Sequence, residues 1–379
     1  MNVLVNANCS KGGSIPWCAA MTVLLGEYPR HRFVVCVSPQ VRQALGQGFV
    51  PASNVEVLDY PRRSKLSMLF RHAPALDALV DSRGIDMVLT VFGPAYWRPR
   101  VPHLCGFAKS QYIYRHSPFF RQMSRRERLV LELKRMVHMA SFRRDPDAYI
   151  TEREPISEAL RQLIPGKPVY TVSNSCNPVF ARQEEWMSLP LPPFDGVTLL
   201  TVSADYPHKN LGMIPRVAEY LRRSHPEFKF RFVVTLGPEV FGYGAGNVPE
   251  WLLPVGKVDI RECPSLYEQC DIMFLPTLLE CFSASYAEAM KMKRPILTSD
   301  LSFARGLCGV AAEYFDPLSP ESAGEAVYRL ANAPRRRREL VEAGEKRGRE
   351  FLSAEARTLR YIHLLEKEYV RHWKNDRIV

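Results

Sequence analysis

The chain has no run approaching 18 consecutive apolar residues, which excludes a membrane-spanning helix and leaves only peripheral contact with a bilayer. Its first residues, Met1 to Asn8, carry no basic start, no long apolar stretch and no cleavage-like site before Lys11, so a secretory leader is not expected. Cysteine occurs nine times, from Cys9 to Cys308, in an odd count without a C-x-x-C pair, which argues against a zinc ribbon or disulfide framework and for reduced thiols in a cytosol. No internal repeat is visible, and the one biased tract, Arg335 to Arg338, reads as a solvated helix start. Acidic residues are in deficit: 51 Lys and Arg against 40 Asp and Glu leave +11, which favours an anionic partner such as a nucleotide, a nucleic acid or a membrane surface. No zinc-finger, RNP or helix-turn-helix pattern accompanies that charge, so nucleic acid is not expected as the partner.

What is present is a globular composition, 46% hydrophobic and 24% charged over 379 residues, with room for two or three domains at roughly 100–200 residues each. Short β-rich runs at Val3 to Asn6, Phe33 to Val37, Val55 to Leu58, Met87 to Phe92, Leu104 to Phe107 and Ala148 to Thr151 are separated by helix-like segments. This is the rhythm of βαβ units and a mostly parallel sheet. From Trp186 to Gly196 the proline density can continue neither a helix nor a central strand, which predicts a linker. A second series follows at Val197 to Val202, Phe230 to Leu236, Ile272 to Leu275 and Pro295 to Thr298. The charged, Ala/Glu/Arg-rich text after Pro334 predicts terminal helices. Two α/β domains are therefore expected, at 1–180 and 190–355, with a terminal helix at 356–379 free to return to the first.

The most informative stretch runs from Leu266 to Lys291. Asp271 to Pro276 reads as a short strand, Thr277 to Phe282 as a loop and Ser283 onward as a capped helix start. Glu280 then stands past the carboxyl end of a strand and Glu288 inside the next helix. Open parallel sheets bind ligands beyond those ends, where the free N–H groups of a following helix can hold an anion. Carboxylates beside such a cradle suit sugar hydroxyls, which they accept through directional, charge-assisted hydrogen bonds.

Glu280 and Glu288, with Phe282 two residues after the first, resemble the E-x7-E motif of retaining GT-B glycosyltransferases, in particular glycosyltransferase family 4. Ser203 to Leu211 is similar to that family's segment after the first strand of its second domain, with Lys209 as the lysine that contacts the donor diphosphate. Tyr170 to Phe180 resembles its domain-crossing segment, and Lys11 to Ser14 its glycine-rich loop. The resemblance implies two Rossmann-like, doubly wound parallel-sheet domains facing a central cleft. It implies a nucleotide diphosphate sugar as donor, a glycan or lipid-linked acceptor in cell-surface polysaccharide or glycolipid synthesis, and no metal cofactor. By the same resemblance Lys209 and the N–H groups of Ser283, Ala284 and Ser285 offset the leaving diphosphate. Glu280 contacts the transferred sugar and Glu288 the ribose, Lys257 lies near the base, and Gly12 and Gly13 let backbone approach the donor. The first-domain reaction-centre histidine is best matched by His103, with His116 as the other candidate. Two positions depart from the pattern: Ala204 stands where the family often has arginine, and Ser283 where it often has glycine. An epimerase or phosphorylase of the same architecture, and a non-catalytic partner subunit, remain the rival readings.

Between Arg115 and Arg144 nine Arg or Lys face only Glu127 and Glu132, so one segment holds most of the excess charge. Phe119, Phe120, Met123, Leu129, Val130, Leu133, Met136, Val137 and Ala140 recur there at helical spacing. Such a helix either lies on an anionic membrane surface, at the cytoplasmic face, or packs its apolar stripe against its own sheet; the sequence leaves both open.

Overall fold

A computed structural model describes residues 1–375 apart from 11, 62, 65–67 and 69–72; Lys11 of the glycine-rich loop and the last four residues of the expected terminal helix lie outside the described residues. The chain forms two compact units. The first comprises Met1–Ile113, Ser124–Ser175 and Leu352–Val379; the second comprises Tyr114–Met123 and Cys176–Phe351.

The first unit is built on seven parallel strands, β1 (Asn2–Ala7), β2 (Arg32–Val37), β3 (Val55–Asp59), β4 (Met87–Thr90), β5 (His103–Gly106), β6 (Ala148–Thr151) and β7 (Val169–Thr171), in the order β3-β2-β1-β4-β5-β6-β7. Val3, Leu4 and Val5 are buried, as are Phe33 through Val37, because helices cover both faces of the sheet and both side-chain rows need apolar residues. The helix Ala354–Asn375 completes this core: Tyr361, Ile362 and Leu365 pack with Val5, Trp17 and Leu89.

The second unit holds six parallel strands, β8 (Val197–Thr201), β9 (Phe230–Val234), β10 (Leu252–Pro254), β11 (Ile272–Leu275), β12 (Ile296–Ser299) and β13 (Ala312–Phe315), ordered β10-β9-β8-β11-β12-β13. Leu200, Val233, Met273 and Leu275 face one core and Leu199, Phe232, Phe274 and Leu297 the other, the alternation a two-sided sheet imposes. Both sheets reverse their winding beside their first strand, between β1 and β4 and between β8 and β11. These are the topological switch points, where doubly wound sheets bind ligands.

The basic segment differs from its expected form. A helix runs from Arg125 to Arg144, started by a capping box in which Ser124 and Glu127 each accept the other's backbone N–H. Phe119 and Phe120 are not part of it. They lie in a separate 3-10 turn, Pro118–Gln122, that belongs to the second unit, because Pro118 and the extended backbone at Met123 interrupt the helical run.

Candidate functional site

The loops that leave β8 and β11 emerge side by side at the switch point of the second sheet. The β8 loop ends in a short 3-10 turn, Pro207–Lys209, which Asn210 terminates in the left-handed conformation at φ 53°. The two loops are stitched together: the Leu278 N–H donates to the His208 carbonyl at 2.7 Å and the Thr277 hydroxyl to the same oxygen at 3.2 Å. This brings Lys209 Nζ to 2.5 Å from Glu280 Oε1, which also accepts from Thr277 Oγ1 at 3.0 Å. Both side chains of the ion pair are largely buried, 13% and 10% exposed. Removing either partner would leave an uncompensated charge in a poorly hydrated place. The second oxygen of Glu280 accepts no hydrogen bond among the described residues and remains able to take one from a ligand hydroxyl.

The helix Ala284–Lys291 starts beside this pair, with Ser283 in extended conformation at its N-cap and no side-chain cap. Its first N–H groups have no intrahelical acceptor and so face outward as donors. Ser285 Oγ donates to the Val202 carbonyl at 3.3 Å, which ties the helix start to the end of β8. Inside the same helix Glu288 is buried, and burial pushes its carboxyl up to about 7; the Tyr267 hydroxyl and the charge of Lys209 act in the opposite direction. Tyr267 donates to Glu288 Oε2 at 3.1 Å from the helix Cys263–Glu268.

Among the expected site residues, Lys209, Glu280, Glu288 and the Ser283–Ser285 helix start thus come together. Phe282 is buried and sits edge-on to Phe351 at 5.4 Å, so it anchors the loop in the core. Lys257 is exposed and follows Gly256, at φ 73°, in the loop beyond the carboxyl end of β10, on the same edge of the sheet but two strands from β8.

The remaining expected residues belong to the first unit, except His116, which is exposed on the segment Tyr114–Met123. Gly12 adopts φ 63°, a left-handed conformation that favours glycine. Gly13 heads the helix Ser14–Leu24, and a Cβ there would meet nothing within 4 Å, so no clash within the protein demands glycine at that position. His103 requires a correction. It is the first residue of β5, at the opposite end of the strand from a carboxyl-edge crevice, and is only 1% exposed. Its ring lies 2.8 Å from Thr90 Oγ1, and burial lowers its pKa to about 4, so it is a neutral core histidine that no substrate reaches.

Several contributors escaped the sequence reading. Thr277 and Tyr267 orient the two glutamates, and Tyr206 stacks on His208 with ring centroids 5.4 Å apart. The segment Tyr114–Met123 braces both loops: Ser117 Oγ donates to the Leu278 carbonyl at 2.6 Å, Gln122 to Asn210 at 3.2 Å, and Phe119 meets the His208 ring edge-on. The only advance signal was the Ser-Pro-Phe-Phe text itself, which marks a turn but names no partner. Among the described residues, no three His, Cys, Asp or Glu side chains are grouped so as to hold a metal ion, and no helix is long and apolar enough to cross a membrane.

Comparison with known proteins places this geometry. Residues 196–333 match the family model for glycosyl transferases group 1. No curated protein matches the chain by sequence. Among solved structures, sucrose-phosphate synthase from Thermosynechococcus elongatus superposes with TM-score 0.68 at 13% identity, over 98% of this chain and 100% of that one. Anabaena HepE, in complex with UDP and glucose, superposes with TM-score 0.65 at 14% identity, over 97% and 99%. A Listeria monocytogenes structure proposed to be a UDP-N-acetylglucosamine 2-epimerase follows with TM-score 0.57 at 14% identity, over 90% and 91%.

Proposed function

Starting from a chain with the GT-B fold whose residues 196–333 match the family model for glycosyl transferases group 1, we propose that it is a retaining, metal-independent transferase. It moves a sugar from a nucleotide diphosphate sugar to a glycan or lipid-linked acceptor in the synthesis of a cell-surface polysaccharide or glycolipid. The observation that carries this reading is the Lys209–Glu280 pair, held at 2.5 Å beside the free N–H groups of the Ala284–Lys291 helix at the switch point of the second sheet.

The roles follow from charge. The donor's diphosphate brings negative charge that grows as the glycosidic bond breaks. Lys209 and the helix N–H groups offset it, the N–H groups without reorganising because the helix fixes them before the donor arrives. With Lys209 drawn toward the phosphates, Glu280 is released to accept hydrogen bonds from the sugar and to stabilise the positive charge that develops at its anomeric carbon. Glu288 accepts from the ribose hydroxyls, and Tyr267 fixes its orientation.

A thermal-shift screen against UDP, GDP, ADP and dTDP sugars identifies the donor, since a ligand that binds only the folded state raises its melting temperature. UDP-glucose is the first to try, given the HepE complex. NMR of the product then reads anomeric configuration, and inversion would refute the retaining mechanism. An isomerised nucleotide sugar formed without acceptor would replace the transferase with an epimerase, the reading the Listeria neighbour favours.

A further inference from the structure

The helix Arg125–Arg144 leaves its apolar stripe uncovered. Leu129 is 61% exposed, Val130 42%, Leu133 49%, Met136 61% and Val137 42%. Thirteen large hydrophobic side chains are exposed among the described residues, and five of them fall in these nine positions, which is a patch and not scatter. At 100° per residue the five occupy an arc of about 120°, and fully buried Phe142, which packs against Phe107 and Tyr149, lies roughly opposite its centre. The apolar residues at the far end of the helix, Met139 and Phe142, are therefore spent on the first unit's core, while those of the three preceding turns are not.

The charge around the stripe is predominantly positive. The helix carries seven Arg or Lys against Glu127 and Glu132. Arg125, Arg126 and Arg128 crowd its start, Lys134 flanks the stripe and Arg143 closes its end, all exposed. Among the described residues these five make no salt bridge, whereas Arg135 pairs with Glu132 at 3.3 Å. Exposed apolar side chains ringed by free cations suit a surface that is oily below and anionic above.

The geometry points to this helix as a docking element for an anionic lipid surface, lying in the headgroup plane with Leu129, Leu133 and Met136 inserted and the arginines on lipid phosphates. A helix of 20 residues lays about 30 Å along the bilayer. A second copy of the chain is the poorer occupant, since two helices of this charge would face each other across a closed contact. The surface shares no residue with the Lys209–Glu280 site and does not depend on the donor assignment.

The test is flotation of the full chain with vesicles of phosphatidylcholine alone and of phosphatidylcholine enriched in phosphatidylglycerol. Binding is expected only to the anionic vesicles. The triple charge reversal Arg125→Glu, Arg126→Glu, Arg128→Glu is expected to weaken it by on the order of 100-fold. Leu129→Ser, Leu133→Ser, Met136→Ser is expected to weaken it at least tenfold at unchanged melting temperature, because these side chains are exposed. Equal binding to both vesicle types, or anionic binding that neither triple variant weakens, overturns the proposal. So does a dimer in size-exclusion chromatography that the serine variant abolishes while no vesicle binds, which would make the stripe a self-association surface. Binding of the nucleotide sugar identified by the thermal-shift screen, measured on the same variants, stays at the wild-type level, which separates this outcome from failure of the donor reading.

Discussion

The two units wind their sheets alike. In each, the first strand lies at the reversal, β1 beside β4 and β8 beside β11, so topology offers each the same crevice. The residues at those places are nevertheless different in kind. Past β1 the chain offers Gly12 in a left-handed conformation and the uncapped start of a helix at Gly13. Past β8 and β11 it offers a largely buried ion pair, a second carboxyl raised by burial and a stitched pair of loops. A shared fold thus presents a buried ion pair in one unit and, at the loop after β1, a left-handed glycine and a helix start in the other; the two crevices differ in their loops and not in their winding.

Loss of charge in the second unit should break the comparison most sharply. Lys209→Ala and Glu280→Gln are each expected to lower kcat by about 10²–10³-fold, the scale of removing one preorganised electrostatic contact. Circular dichroism checks that the fold survives, and unchanged turnover in both would remove this site from the mechanism.

Glu288 gives a smaller, pH-dependent effect. With its carboxyl near 7 in the folded state, it is mostly protonated at pH 6 and mostly ionised at pH 8. If the ionised form takes the ribose hydroxyls, nucleotide affinity by calorimetry rises roughly tenfold across that interval. The dependence should vanish in Glu288→Gln. Stability runs the other way: the folded state holds the proton more tightly than the unfolded chain, so this group's contribution is complete below the ordinary carboxylate value and is lost as pH rises through about 7.

The smallest effects on catalysis are expected in the first unit. His103→Gln should leave kcat within a few-fold while costing about 1–3 kcal/mol in stability, as a buried ring loses its fit. Because the folded protein holds His103 neutral down to about 4, the wild type loses stability as pH falls from the ordinary imidazole range toward that value. A collapse of kcat at unchanged stability would restore His103 to the reaction. Gly12→Ala should cost about 1–2 kcal/mol for its positive φ, and Gly13→Ala much less, by chemical denaturation.

The same contrast explains what could be read in advance. Ile272 to Leu275 and Val197 to Thr201 were legible because strands buried on both faces are continuous apolar runs bounded by polar or turn residues. β7, β10 and β13 were not: each is a three- or four-residue edge strand with partly exposed positions, as at Glu313 and Tyr314, and their pattern resembles loop text. Glu280 and Glu288 were legible because strand, loop and helix follow one another within a short span, and Lys209 only through the resemblance of its segment to the family's. Tyr267 and Thr277 were not, since their roles depend on which loop or helix lies alongside. His103 was misread because a lone histidine looks alike in sequence whether it faces a ligand or Thr90.

The division of the chain into units has a consequence for its birth. The polypeptide crosses from one unit to the other after Ile113, Met123, Ser175 and Phe351, and Tyr361, Ile362 and Leu365 fill the first unit's core. A ribosome working from the amino terminus therefore releases all of the second unit before it delivers the helix that closes the first. Until then Trp17 and Leu89 lack their last neighbours, and the nascent first unit exposes apolar surface of the kind chaperones bind. Premature termination near Phe351 would not yield a protein short of one surface helix; it would yield a nearly complete second unit tethered to a first unit with an open core.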